Sequence, residues 1–130
     1  MRENVTMSPG TIRIISLALT GALLCTAAPT IRLAEDASIA EKTAARELAE
    51  HIGQMTGSVP AVGVEGTPGN GPTLFVGQTR AAAQAGIKAA ELGAEEWLVK
   101  SIGDSLVLAG GRPRGTLYAV YHYLEDVCGV

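Results

Sequence analysis

The sequence predicts an α/β fold, a mixed sheet of about five strands carrying two main helices on one face. Three observations carry that expectation. Apolar side chains recur at three- and four-residue spacing over 44–55 and again over 117–127, the mark of helices with one buried face. Short β-branched runs bounded by Gly, Pro and Asp alternate with those stretches, as strands do. Two of the runs, 96–101 and 106–109, are joined by Gly103-Asp104, which reads as an antiparallel hairpin. The resulting order, β-α-β-β-(α)-β-β-α, places helices over a mixed sheet.

The opening segment reads as a leader rather than as part of that fold. Arg2 and Arg13 precede an uncharged run from Ile14 to Leu24, and small residues Cys25-Thr26-Ala27-Ala28 follow. A basic start, an apolar run of about ten residues and a small-residue exit form the secretory signal pattern. A membrane anchor needs about 20 apolar residues, and a lipid site at Cys25 would want a smaller neighbour than Leu24. A core helix is the third reading. The division adopted is residues 1–27 as a signal peptide and 28–130 as the folded domain, which implies a secreted or periplasmic chain with no membrane attachment after cleavage. Cys128 is then the lone thiol of the mature chain, so the fold is no disulfide scaffold.

Each element has its own justification. Thr30 to Ala34 alternates polar and apolar side chains, a half-buried strand. Ser38 and Glu41 fit a capping box, and Ala44, Ala45, Leu48, Ile52 and Met55 share one helix face. Gly57 sits where a left-handed residue ends a helix. Val59 to Val64 reads as an edge strand, because Pro60 cannot donate to a ladder. The glycine- and proline-rich stretch 66–72 is a loop. Thr73 to Gly77 is apolar on both faces and therefore central. Residues 79–93 read as short helical pieces broken at Gly86. The last helix has Leu117, Val120, Tyr121, Leu124 and Val127 on its stripe, and Gly129 reads as its stop.

Composition narrows function. The formal net charge of −3 argues against a nucleic-acid partner, since neutralising phosphates needs a basic face. With one Phe and one Trp, Ala, Val, Leu and Ile must fill the core. The turn Gly110–Gly115 has the glycine spacing of a phosphate-cradling loop between a strand and a helix. Arg112 and Arg114 would add charge there. Against that reading, Thr116 stands where the motif places lysine, and Pro113 removes a cradling amide. The plainer reading is a strand-to-helix turn whose glycines allow close packing and whose arginines face solvent or a neighbouring domain, with Gly110, Gly111, Arg114, Gly115 and Tyr118 fixing the junction.

Other chemistry is sparse. Glu95 and Glu96, adjacent on a strand, point to opposite faces and cannot line one cleft as a glycosidase pair would. His51 and His122 lack ligand spacing for zinc. Arg112 and Trp97 are the candidate ligand contacts, Arg112 for an anion and Trp97 for stacking on a sugar. No catalytic residue, metal or cofactor is assigned.

Several stretches taken together resemble a known family. Glu41-Lys42-Thr43-Ala44-Ala45-Arg46-Glu47-Leu48, Thr56-Gly57, Val76-Gly77, Gly110-Gly111, Arg114-Gly115-Thr116-Leu117-Tyr118 and Leu124-Glu125-Asp126 are similar, in this order, to the N-terminal domain of family 67 α-glucuronidases and of β-N-acetylhexosaminidase-like proteins. The resemblance implies a hexosaminidase-like accessory domain that precedes a (β/α)8 catalytic barrel in secreted enzymes of carbohydrate and xylan degradation. It implies a barrel in the same parent chain and a carbohydrate substrate as partners, with this chain a piece of a longer enzyme. It carries no catalytic residue onto any position here. The alternative is a small secreted sugar- or anion-binding module built on the Gly110–Gly115 turn.

Overall fold

A computed structural model of the protein describes residues 4–7, 29–67, 71–126 and 129. Most of the expected leader, together with Cys25, Val127 and Cys128, lies outside the described residues. The sheet has six strands: β1 (Asn4–Met7), β2 (Thr30–Leu33), β3 (Val62–Val64), β4 (Thr73–Val76), β5 (Trp97–Ile102) and β6 (Ser105–Gly110). Their spatial order is β1-β5-β6-β4-β2-β3. β2, β3, β4 and β6 run parallel to their mutual neighbours, whereas β5 pairs antiparallel with β6 and β1 antiparallel with β5. The sheet is therefore mixed, as the sequence predicts, with five strands where expected. The sixth, β1, comes from the segment read as the leader.

Three α-helices accompany it: α1 (Ile39–Thr56), α2 (Arg80–Gln84) and α3 (Gly115–Asp126), with a 3-10 turn at Ala89–Glu91. Helix α1 begins on the expected capping box. The Glu41 amide donates to Ser38 Oγ at 3.1 Å and the Ser38 amide donates to Glu41 Oε1 at 2.9 Å. It ends at Gly57, whose φ of 82° is the left-handed conformation that side chains resist. Gly86 separates α2 from the 3-10 turn, again as expected.

Side chains of the strands alternate between two cores. Ile31, Leu33, Leu74, Val76, Trp97, Val99, Leu106 and Leu108 point to one face, where Ala44, Ala45, Leu48 and Ile52 of α1 meet Ala119, Val120, Tyr123 and Leu124 of α3. Leu98, Val107 and Ala109 point to the other, under Ala82, Ile87 and Ala89. Both main helices thus lie on one face and the short helical pieces cover the other. Each fully buried aliphatic side chain contributes about 1.5–3 kcal/mol, so the two-helix face supplies most of the stability.

Two expectations shift in detail. On α3 the buried stripe is Thr116, Ala119, Val120, Tyr123 and Leu124, while Tyr121 is 42% exposed. The stripe is turned by about one residue because Gly115 and Thr116 must approach the end of β6. At the end of α1, Met55 is 38% exposed, off the core. The edge strand expected over Val59–Val64 forms only at Val62–Val64, and it lies at the sheet's edge as expected, with β4 central. Among the described residues no helix is long and apolar enough to cross a membrane.

Candidate functional site

The parallel strands set where a site can form. β2 leads through α1 to β3 on one side, and β4 leads through α2 and β5 to β6 on the other. The chain therefore diverges between β2 and β4, the crevice beyond the carboxyl ends where open α/β sheets bind ligands. A cleft of about 360 Å³ lies there, lined by Ala34, Glu35, Asp36, Glu65, Gln78 and Arg80. The Gly110–Gly115 turn follows β6 at this same end of the sheet.

The turn is built from close backbone contact. A Cβ on Gly110 would lie 2.2 Å from the carbonyl carbon of Gly115, and one on Gly111 would lie 1.9 Å from the oxygen of Gly93. One on Gly115 would lie 2.2 Å from the oxygen of Glu96. The Gly111 amide donates to the Glu96 carbonyl at 3.0 Å and the Gly115 amide to the Gly111 carbonyl at 2.7 Å. Arg112-Pro113 is a cis peptide. At these three positions protein backbone lies where a Cβ would stand.

The charged groups near the turn have partners within the domain. Glu41 is 1% exposed although it belongs to a helix's first turn. Its carboxylate takes Arg112 as a fork: Nε donates to Oε2 at 3.1 Å and Nη2 to Oε1 at 3.1 Å. Two parallel bonds of this kind fix orientation as well as charge. Arg112 Nη2 also donates to the Asp36 carbonyl at 3.3 Å, and the Asp36 carboxylate stands 4.0 Å away. The hydrogen bond to Glu41 raises the Arg112 pKa above its ordinary range, against the opposing effect of partial burial. Gly77 packs against this carboxylate, since a Cβ there would meet Glu41 Cδ at 2.9 Å.

Neighbouring polar groups are paired in the same way. Arg114 Nη2 donates to Glu95 Oε2 at 2.7 Å, and that bond raises the Arg114 pKa. Glu65 Oε1 accepts the Arg80 amide at 2.6 Å and Arg80 Nε at 3.2 Å, tying the end of β3 to the start of α2. Gln78 Nε2 donates to the Gly110 carbonyl at 3.3 Å. Glu96 Oε1 accepts the Gly93 amide at 2.6 Å. Glu95 and Glu96 thus serve different partners, Arg114 and the Gly93 amide.

Trp97 lies in the core at 2% exposure, its indole stacked on His122 with ring centroids 4.8 Å apart. A sugar cannot reach it. Tyr118 packs partly buried against the two-helix core. His51 Nδ1 lies 2.8 Å from the Glu47 carbonyl, and both histidines flank a second cleft between α1 and α3, about 380 Å³. Among the described residues, no group of three or more His, Cys, Asp or Glu is disposed to hold a metal ion.

The Glu41–Arg112 clasp is the feature that the sequence reading missed. A signal for it was present: Glu41 falls at helical spacing with Ala44, Ala45 and Leu48, and so sits on the apolar stripe. A buried carboxylate there needs a cation beside it. The separation of 71 residues between the partners left the cation unidentified.

Across residues 24–123 the chain matches the family described as Glycosyl hydrolase family 67 N-terminus. No curated protein and no solved structure matches it.

Proposed function

Since the chain belongs to the family of glycosyl hydrolase family 67 N-terminal domains, we propose that it is the non-catalytic accessory domain of a secreted glycoside hydrolase. The parent enzyme acts on glucuronic-acid-bearing plant polysaccharide, and its chemistry resides in a separate (β/α)8 catalytic domain. The leader, residues 1–27, directs export and is removed.

The observation that carries this reading is the family match over residues 24–123. The internal pairing of the charged groups supports it. Glycoside hydrolysis needs two carboxyl groups facing each other across a substrate cleft, about 5–10 Å apart. Here Glu41, Glu65, Glu95 and Glu96 hold arginines or backbone amides of the domain itself. Arg112 and Arg114, the groups that would attract an anion to the turn, are neutralised by Glu41 and Glu95. A domain organised in this way presents a rigid body to a neighbour.

The test is to extend the reading frame beyond the Val130 codon and express the complete product. A barrel-bearing product that releases glucuronic acid from glucuronoxylan oligosaccharides supports the reading. A complete frame without a second domain, or one active only on unrelated substrates, rejects it.

A further inference from the structure

The cleft between α1 and α3 stands apart from the turn and the crevice, and its lining is of one chemical kind. Glu47 and His51, one turn apart on α1, line one wall; Tyr121, His122, Leu124 and Glu125 of α3 line the other. His51 Nδ1 lies 2.8 Å from the Glu47 carbonyl, a group that only accepts. In the neutral ring Nδ1 therefore carries the proton, and Nε2 is left as an acceptor. His122 Nδ1 is buried and has no hydrogen-bond partner among the described residues. Glu125 Oε1, 3.8 Å away, is too far to accept a proton held on it, which leaves this Nδ1 as a second imidazole acceptor.

Among the described residues no arginine or lysine lines this cleft, and Glu47 makes no ion pair. The two imidazole nitrogens and two carboxylates thus call for a partner that is positively charged and carries donors only. Among the described residues no three His or acidic groups converge as a metal ion requires. The cation that fits is therefore wider than a metal ion.

A guanidinium is planar, presents five N–H donors and no acceptor, and stacks on aromatic faces, whereas an ammonium is a compact, strongly hydrated point charge. One guanidinium N–H₂ group set between His122 Nδ1 and Glu125 Oε1 donates to both across their 3.8 Å separation. Tyr121, 42% exposed, supplies an aromatic ring at the rim. The cleft, about 380 Å³, has room for the group and the chain that carries it. We propose that the α1–α3 cleft is a binding site for a guanidinium group, held by Glu47, His51, His122 and Glu125. The site is independent of the accessory role.

The chain has two histidines, His51 and His122, so their ring-proton resonances report on the cleft directly. These are followed by NMR at about pH 8, above the ordinary imidazole range, as methylguanidinium, methylammonium or methylurea is added to the full chain. Methylurea keeps the planar shape without the charge. Expected are saturable shifts of both resonances with methylguanidinium, weaker binding of methylammonium, and no shift with methylurea. Glu47→Gln and Glu125→Gln should each raise the half-saturating concentration of methylguanidinium by about fivefold. A blocked tripeptide with arginine between two glycines separates the sources: tighter binding than methylguanidinium assigns the site to a protein's arginine, and no tighter binding to a free guanidino compound. Absence of saturable shifts with methylguanidinium, equal shifts with methylurea, no preference over methylammonium, or unchanged binding in both variants would each overturn the proposal.

Discussion

Glu41 is a carboxylate placed where the helix stripe calls for an apolar side chain, and its burial makes Arg112 indispensable. Removing one partner of such a pair strands the other charge. Arg112→Ala should destabilise the fold by about 2–4 kcal/mol in chemical denaturation. This is below the about 3–5 kcal/mol of a fully buried pair, because the guanidinium is 38% exposed. Arg114→Ala removes an exposed pair and should leave the denaturation midpoint at its wild-type value. Equal losses for the two would contradict the assigned geometry.

The sign of the pH effect follows from the direction of the Arg112 shift. A raised pKa means the contribution is fully present below the ordinary arginine range and is lost only as pH rises beyond it. The stability gap between wild type and Arg112→Met should therefore stay level from about pH 7 to about pH 10. A gap that closes within that window would assign the coupling to a different group. At the turn, Gly110→Ala drives a Cβ to 2.2 Å from backbone. The expected loss is about 3 kcal/mol or more, at the upper end of overpacking costs.

At the level of elements, the rotation of α3 is the instructive case. Tyr118, Tyr121 and Tyr123 supply bulk on several sides of the helix, so apolar spacing alone allows more than one buried stripe. The packing of Gly115 and Thr116 on the end of β6 selects the one containing Tyr123. Tyr123→Ala should cost about 3 kcal/mol, and Tyr121→Ala about 0.5 kcal/mol or less, in parallel thermal melts. The reverse order would restore the stripe expected from spacing. The two ends of helix α1 were legible, because Ser38, Glu41 and Gly57 are local signals for them, whereas Met55 falls off the expected stripe. Ser38→Ala should cost about 1 kcal/mol.

Across the whole molecule, what was legible followed from local periodicity, and what was not required partners far apart in the chain. Strand types, the hairpin at Gly103-Asp104 and the edge position of Val62–Val64 all follow from neighbours in sequence. The clasp between Glu41 and Arg112 does not, nor does the pairing of Asn4 with Lys100. Trp97 shows the same limit. Its type allows a stacking surface, and only the packing of α3, which lays His122 on its ring, puts it out of reach.

The divergence of β2 and β4 gives the domain a crevice, while its arginines and carboxylates are turned on one another. That arrangement suits a body that supports a catalytic neighbour. The most direct measurement is hydrolysis of glucuronoxylan oligosaccharides and aryl hexosaminides by residues 1–130 alone, set beside the product of the complete reading frame. Release of sugar by the complete product and none by the isolated chain is the expected result. Turnover by the isolated chain would contradict the accessory role.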